Sequence, residues 1–349
     1  MLDQLQLNSF RCFDSLSLTL APRSNFFVGA NGEGKTSILE AVCVLLRLQS
    51  QRSATLAPAI QLGENHFVLS GAYDGHLLKF RYGGLHRKLQ FDGVDQRTAT
   101  EYLRLARVVT FSNVDIEIVR GSSEPRRRYL DFLGMQIDSR YRPTLRAYER
   151  VLRSRNALLK SPHPRPRELA AYNQPLLEHG AALGQMRAAL VARLTPFVAS
   201  AYRQISVGKE EADLSFAAGN EKDFEAHLIR SFAEEARLRQ TLVGPHRDDI
   251  ELFVDGMVVQ SYASEGQQRA FALALKIAQA RVLAEEGTIP ILLIDDIFGE
   301  LDPERRNALL ASLPAPSQKL VTATNLQWRT DIDTDALVFK LQNRILRRE

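Results

Sequence analysis

A run of glycines beside one lysine carries the clearest chemistry in this sequence. It follows the apolar residues 26–28 and leads into residues 37–42, which read as a helix. Glycines let backbone N–H groups curl around an anion, and the partial positive charge of a helix N-terminus points at the same place. This order predicts a Walker A phosphate loop. The predicted nucleotide-binding residues are Gly29, Ala30, Asn31, Gly32, Glu33, Gly34, Lys35, Thr36 and Ser37.

Two adjacent acids end an apolar run late in the chain, and they complete the predicted site. Asp295 and Asp296 follow residues 289–294, as in a Walker B strand. Thr36 and Asp295 would bind Mg²⁺, and Lys35 would reach the β- and γ-phosphates of ATP as a catalytic residue. Asp296 would be the second catalytic residue, because it can orient or deprotonate the attacking water. Two acids at a strand end are otherwise often a solvated turn, and the upstream phosphate loop favours the catalytic interpretation.

Positive charge is concentrated between Arg120 and Arg167. This segment holds thirteen Arg or Lys and four acids, and its apolar residues recur at roughly helical spacing. An excess of cations on one helical segment is typical of binding to a phosphate backbone. The alternative is a solvated arginine face. The predicted DNA-binding residues are Arg126, Arg127, Arg128, Arg150, Arg153 and Arg155.

Composition and length limit the possible classes of protein. With 349 residues, of which 45% are hydrophobic and 25% charged, the chain is typical of a soluble globular protein of two or three domains. No apolar run reaches the ~18–20 residues of a membrane span, and no signal peptide is visible at Met1. Cys12 and Cys43 predict reduced thiols in a cytoplasmic protein with no membrane partner.

The elements that must position these residues form three consecutive segments. Residues 1–112 predict the first half of a nucleotide-binding domain, with two strands over 2–20, three short strands over 67–91 and a buried strand at 107–111. Residues 113–240 predict an inserted helical domain. Residues 241–349 predict the second half, in which Ser264 is a good N-cap for a helix running to about residue 284.

These motifs together resemble the head domains of the structural-maintenance and Rad50 ATPases, and more narrowly the RecF group of recombination mediators. The resemblance rests on the phosphate loop, on Ser264 with Gly266, Gln267 and Gln268, and on residues 294–296 with 299–302. It also rests on residues 10–13, 127–131, 155–160 and 244–249, and it spans nearly the whole chain. The long coiled coil of the Rad50-like proteins is missing.

The resemblance implies an α/β fold, an ABC-type P-loop ATPase head with a mixed sheet, an antiparallel β subdomain and an inserted, mainly helical second domain. It implies that Ser264, Gly266, Gln267 and Gln268 act in trans, so that ATP joins two protomers. The expected homodimer closes over double-stranded DNA near a gap and assists recombination mediator proteins and the recombinase. It also implies a weak, DNA-stimulated ATPase.

The sequence departs from the family pattern at three points. Residues 112–115 stand where the family has a proline and an acid, and no glutamine for a lid contact to Mg²⁺ is evident. Asp296 replaces the glutamate of the coiled-coil relatives, and its shorter side chain predicts slow hydrolysis. His246, within the family-specific residues 244–249, is expected to be a packed, hydrogen-bonded histidine rather than a catalytic one.

Two other functions remain open at this point. One is a nucleotide-binding subunit of another ABC-type assembly. The other is a DNA-binding module whose phosphate loop senses nucleotide without significant hydrolysis.

Overall fold

The computed structural model describes residues 1–53, 55–84, 86–161, 166–206, 210–299, 301, 303–327 and 336–348. The chain divides into two compact units. The first comprises Met1–Val114 and Gln279–Glu349, and the second comprises Asp115–Ala278. The predicted motif residues Glu300 and Asp302 lie outside the described residues.

The strands are β1 (Leu2–Phe10), β2 (Phe13–Thr19), β3 (Ser24–Val28), β4 (Phe67–Tyr73), β5 (His76–Gly83), β6 (His86–Phe91), β7 (Val94–Asp95), β8 (Val108–Ser112), β9 (Ala212–Ala217), β10 (Asp249–Val254), β11 (Met257–Val258), β12 (Ile291–Asp295), β13 (Lys319–Ala323), β14 (Leu337–Gln342) and β15 (Ile345–Arg348). The helices are α1 (Lys35–Arg47), α2 (Thr100–Arg104), α3 (Ile116–Arg120), α4 (Ser123–Ile137), α5 (Tyr141–Leu159), α6 (Pro166–Ser206), α7 (Phe224–Leu238), α8 (Val259–Tyr262), α9 (Glu265–Glu285) and α10 (Pro303–Ser312).

The first unit contains the predicted antiparallel subdomain, a sheet of strand order β2-β1-β4-β5-β6-β7. In β1, Leu5 and Leu7 are fully buried whereas Gln4 and Gln6 are exposed. This alternation is expected of an antiparallel strand that covers a core with one face and meets water with the other.

A second sheet of the same unit carries the phosphate loop, and its order is β15-β14-β3-β13-β12-β8. Neighbouring strands from β14 to β8 are parallel, and β15 pairs antiparallel with β14. The central strands β3, β13 and β12 are buried almost throughout, polar Asn25 and Thr322 included, because parallel strands are covered on both faces. Helix α1 contacts strands of both sheets, and its Ile38 and Val42 are fully buried.

The second unit is mainly helical, and α5 and α6 pack along each other. Helices α4 and α5 meet at Gly134, where an added Cβ would lie 2.3 Å from the Tyr141 ring. Tyr129 of α4 donates a hydrogen bond to the Leu275 carbonyl of α9 at 2.7 Å. The mainly helical second domain of the predicted fold is therefore confirmed.

The end of this unit corrects the predicted boundary at residue 240. Residues 241–278 group with the second unit because β10 pairs along its whole length with β9, a strand that the sequence did not predict. The pair and the short β11 form a three-stranded sheet.

Candidate nucleotide site

The phosphate loop has a backbone that requires its glycines. Gly32 has φ +87° and Gly34 φ +103°, a region that other residues seldom adopt. A Cβ on Gly34 would lie 2.7 Å from Cys12 Sγ, and one on Gly29 would lie 2.5 Å from the Leu341 carbonyl oxygen of β14. The phosphate loop is therefore closely packed against Cys12 at Gly34 and against β14 at Gly29.

Lys35 is buried at the first position of α1. Its Nζ donates to the carbonyl oxygens of Gly29 at 2.7 Å and Ala30 at 2.9 Å. Burial lowers the pKa of Lys35, and the nearby carboxylates of Asp296 and Asp295 oppose that shift. An ammonium group has three donors, so Lys35 can hold the loop and still donate to a phosphate oxygen.

Thr36 and Asp295 come together as the sequence predicts for a Mg²⁺ site. Thr36 Oγ1 donates to Asp295 Oδ1 at 2.8 Å, and Thr322 Oγ1 donates to the same oxygen at 2.7 Å. Thr322 lies opposite Asp295 in the parallel pair of β12 and β13. One hydroxyl and one carboxylate side by side fit Mg²⁺, which is usually bound by one or two carboxylates together with substrate phosphates and water.

Asp296 follows directly in a left-handed backbone conformation, with φ +52°. Its N–H donates to Thr322 Oγ1 at 3.0 Å and approaches the Thr322 carbonyl oxygen at 3.3 Å. Aspartate is one of the few residues other than glycine that tolerate this conformation. The turn places Asp296 in the wall of the same cavity as Lys35 and Thr36.

That cavity has a volume of about 830 Å³, and its wall also contains residues that the sequence did not predict. Arg11 donates through Nε and Nη2 to the fully buried Glu40 at 2.8 and 2.6 Å, and through Nη1 to the Pro58 carbonyl at 2.6 Å. Arg52 and Arg344 also line the cavity. The only sequence signal for this wall is the family motif at residues 10–13.

Ser264 caps α9 in the second unit, as predicted. Its Oγ accepts from the Gln267 N–H at 3.3 Å, and its own N–H donates to Gln267 Oε1 at 2.7 Å. This reciprocal pair is a capping box. Gln268 is buried, accepts from Arg120 Nε at 2.6 Å and donates to the Ala263 carbonyl at 3.1 Å, so it fixes the turn from behind. Ser264 itself is exposed and Gly266 half-buried.

The predicted DNA-binding arginines divide into buried and exposed groups. Arg126 donates to both carboxylate oxygens of Asp249 at 2.6 and 2.9 Å, and Arg155 donates to Glu235 at 2.6 Å. Both arginines are at most 5% exposed. They were predicted to bind DNA, and the structure corrects this, because a buried, ion-paired guanidinium cannot reach a phosphate backbone.

The other four arginines remain accessible to different degrees. Arg127 is half-buried and donates to Ser123 Oγ at 2.6 Å and to the Asp248 carbonyl at 2.9 Å. Arg128 is exposed and pairs with Glu124 one helical turn away. Arg150 and Arg153 are exposed on α5, and the exposed Arg146 precedes them by one turn, so the three form a stripe along the helix.

His246 is a packed histidine, as expected. Its Nδ1 is 2.7 Å from Tyr148 Oη, and its Nε2 is 2.9 Å from the Thr241 carbonyl oxygen. Burial lowers the pKa of His246 to about 4, so the ring is neutral near pH 7. The tautomer with a proton on Nε2 satisfies both contacts, since Nε2 donates to the carbonyl and Nδ1 accepts from the tyrosine.

Comparison with known proteins agrees with this geometry. The family described as "RecF/RecN/SMC N terminal domain" matches residues 1–347. DNA replication and repair protein RecF of Symbiobacterium thermophilum is 36% identical over 344 residues, covering 93% of this chain and 92% of that protein. The chain belongs to the RecF family. RecF of Lachnoclostridium phytofermentans is 32% identical, with 98% of each chain covered.

Solved structures show the same RecF architecture. A structure described as the recombination mediator protein RecF-ATP in the RecFOR pathway has a TM-score of 0.90 at 27% identity, covering 100% of this chain and 97% of that one. An Smc head bound to the C-winged helix domain of ScpA has a TM-score of 0.57 at 14% identity and shares the fold alone. The predicted ABC-type ATPase head is thereby confirmed.

None of the helices in the described residues is both long and apolar enough to cross a bilayer.

Proposed function

We propose that this chain is an ATP-dependent DNA clamp of recombinational repair. ATP binding joins two copies around double-stranded DNA near a gap, and slow hydrolysis releases them. The observation that carries the proposal is the convergence of Lys35, Thr36 and Asp295 at one phosphate loop. A RecF chain solved with ATP, similar over its whole length, supports ATP as the nucleotide.

Four residues of the first unit have separate roles in the proposed hydrolysis of ATP. Lys35 donates to the β- and γ-phosphates while two loop carbonyls keep it aligned. Mg²⁺, held by Thr36 and Asp295, would neutralise developing charge on the phosphates. Asp296 orients or deprotonates the attacking water. Because its side chain is short and its backbone is fixed by Thr322, we expect a low turnover rate.

Ser264 and Gly266 belong to the second unit, and we propose that they act on the ATP of the other protomer. The capping box uses one lone pair of Ser264 Oγ, so its O–H is still able to donate to a γ-phosphate oxygen. The N-terminus of the 21-residue helix α9 adds its partial positive charge. Dimerisation would therefore follow ATP binding and end with hydrolysis.

DNA binding is proposed for the exposed arginines of the second unit. These are Arg128 and the α5 stripe of Arg146, Arg150 and Arg153. A surface of such cations binds any sequence, because it neutralises backbone phosphates and releases counterions. Recombination mediator proteins and the recombinase would then be recruited to the clamped DNA.

Sedimentation of the protein without nucleotide, with ADP and with ATP tests the proposal, each with and without gapped duplex DNA. We expect a dimer with ATP alone, DNA in the dimer fraction, and a weak ATPase that DNA stimulates. A monomer under every condition would overturn the clamp. Tight ATP-dependent DNA binding with no measurable hydrolysis would instead favour a nucleotide-sensing module.

A further inference from the structure

The turn formed by residues 244–249 has no part in the proposed chemistry, yet it is built with unusual constraint. Gly244 has φ +123°, and a Cβ on it would lie 2.7 Å from Tyr148 Oη and 3.0 Å from Phe224 Cζ. Pro245 and His246 follow in a 3₁₀ turn, Pro245–Arg247, and Pro245 is buried. The backbone at the start of the turn therefore has almost no freedom.

The two aspartates anchor the other end of the turn. Asp248 Oδ1 accepts from the Gly219 N–H at 2.8 Å, and Oδ2 accepts from Arg187 Nη1 at 3.0 Å. Asp249 forms the two-bond ion pair with Arg126. Asp248 is only 1% exposed, so these contacts are shielded from water.

Arg247 is the one side chain of the turn that is exposed. In the part of the chain that the structure describes, it makes no side-chain hydrogen bond and no ion pair. Its position is nevertheless fixed, because a Cβ on Gly219 would lie 2.6 Å from Arg247 Cβ and 2.3 Å from the Gly244 carbonyl oxygen. The backbone at Arg247 is therefore held by its packing on Gly219 and by the anchored residues on either side of it.

The charges around the turn leave Arg247 uncompensated. Four acids of this network face four arginines, namely Asp131, Glu235, Asp248 and Asp249 against Arg126, Arg127, Arg155 and Arg187. Arg247 adds one further positive charge. Arg127 lies beside the turn, with Nη1 donating to the Asp248 carbonyl. The positive field of Arg247, Arg127 and Arg155 also contributes to the lowered pKa of His246.

We infer that Arg247 is a fixed contact to a phosphate of the nucleic-acid backbone, with Arg127 beside it as a second, half-buried cation. The inference rests on the proposed DNA binding and adds a site that is not part of the α5 stripe. A guanidinium presents its donors in a rigid fork that matches two phosphate oxygens. A mount that removes the motion of the backbone lowers the entropy cost of binding the phosphate.

The experiment is DNA binding by full-length Arg247→Ala, Arg247→Lys and Arg203→Ala, titrated with gapped duplex at several salt concentrations in the presence of ATP. Arg203 is an exposed arginine of the same unit that belongs neither to the α5 stripe nor to the turn, and its removal changes the net charge equally. We expect Arg247→Ala to weaken binding about tenfold, as for a lost charge-assisted hydrogen bond, and to reduce the salt slope by about 0.9. Arg247→Lys should keep the slope and lose less affinity, and Arg203→Ala should match the parent.

Each other result overturns the inference in a recognisable way. Parental DNA affinity in Arg247→Ala would show that the turn holds a solvated arginine, and the α5 stripe could still bind DNA. Equal losses in Arg247→Ala and Arg203→Ala would reflect net charge alone. Lost ATP-dependent dimerisation with unchanged DNA affinity would assign Arg247 to the partner's nucleotide. If the parent itself fails to bind DNA, the proposed function fails first. Thermal unfolding should be unchanged in Arg247→Ala, since the side chain has no partner among the described residues.

Discussion

Thr36 Oγ1 and Asp295 Oδ1 lie 2.8 Å apart, although 259 positions of sequence separate the two residues. The hydrogen bond joins the first turn of α1 to the end of β12, and Thr322 fixes the same carboxylate oxygen from the neighbouring strand. The carboxylate is therefore aligned by the sheet itself. A loop rearrangement is not needed to bring it beside the phosphate loop.

Replacing Asp295 by asparagine should separate nucleotide binding from metal binding. The amide oxygen can still accept from Thr36 and Thr322, so the loop should keep its shape, while one negative charge is removed. We expect ATP affinity in EDTA to match the parent and the gain on adding Mg²⁺ to disappear. Calorimetric titration with and without Mg²⁺ measures both. A full Mg²⁺-dependent gain in Asp295→Asn would contradict the assignment.

Asp296→Asn should bind ATP but hydrolyse it ~10²-fold more slowly or worse, the usual scale for a lost general base. The backbone N–H that holds the turn is unaffected, since its bonds to Thr322 do not involve the side chain. Single-turnover hydrolysis measures the rate, and sedimentation should show a dimer that persists. Hydrolysis at the parental rate would remove Asp296 from the mechanism.

Two inactive variants test whether the site is shared between protomers. Lys35→Met should lose ATP binding, and Ser264→Arg should bind ATP but fail to dimerise, through steric and charge conflict. In a mixture, a heterodimer would contain one intact site. ATPase activity should return, up to half of the parental value per dimer. A mixture as inactive as its components would mean that both residues act within one chain.

Arginines on one helix should respond differently to substitution according to their burial. Arg150→Glu and Arg153→Glu should weaken DNA binding and lower the salt slope by ~1 for each phosphate that is no longer neutralised, with stability changed by less than ~0.5 kcal/mol. Arg155→Met leaves Glu235 buried without its partner, so it should lower the free energy of unfolding by ~3–5 kcal/mol. Urea denaturation and DNA titration of all three variants check this. Unchanged DNA binding in both surface variants would mean a solvated face.

Protonation of His246 should destabilise the second unit in acid. The pKa of His246 is about 4 in the folded chain and 6.5 when unfolded, so the unfolded state binds more protons between these values. The histidine's contribution is therefore complete above pH 6.5 and is lost as the pH falls toward 4. His246→Gln should unfold with a flatter pH dependence across this window. Parallel pH profiles for the variant and the parent would contradict the shift.

Local order along the chain explains what could be predicted. The strand, loop and helix around the phosphate loop are contiguous in sequence, so their pattern is visible without the fold. The apolar run of β12 likewise leads directly into Asp295 and Asp296. The ion pair of Arg11 with Glu40 joins the β1–β2 turn to α1, and no local pattern encodes it. Strand β9 pairs with β10 across the intervening helix α7, so no hairpin turn in the sequence marks the pair.

The arginines show where counting charge fails. A composition excess states how many cations a helix carries but not which way they face. Arg155 recurs at helical spacing with Tyr148 and Leu159, both of which are buried, so its phase on α5 already assigned it to the inner face. Arg126 likewise shares its phase on α4 with the buried Tyr129, Leu130 and Leu133, although its ion-pair partner Asp249 lies 123 positions further along the chain.

The order of the central sheet has a consequence during synthesis. Strand β3 pairs on one side with β13 and on the other with β14, so among the described residues both of its partner strands follow residue 300. At ~5–20 residues per second, the apolar Phe26 and Phe27 leave the ribosome roughly 15–60 s before their neighbours do. Nascent chains and premature termination products therefore expose an apolar strand whose backbone groups are unpaired. We expect holding chaperones to bind this protein chiefly before β13 emerges.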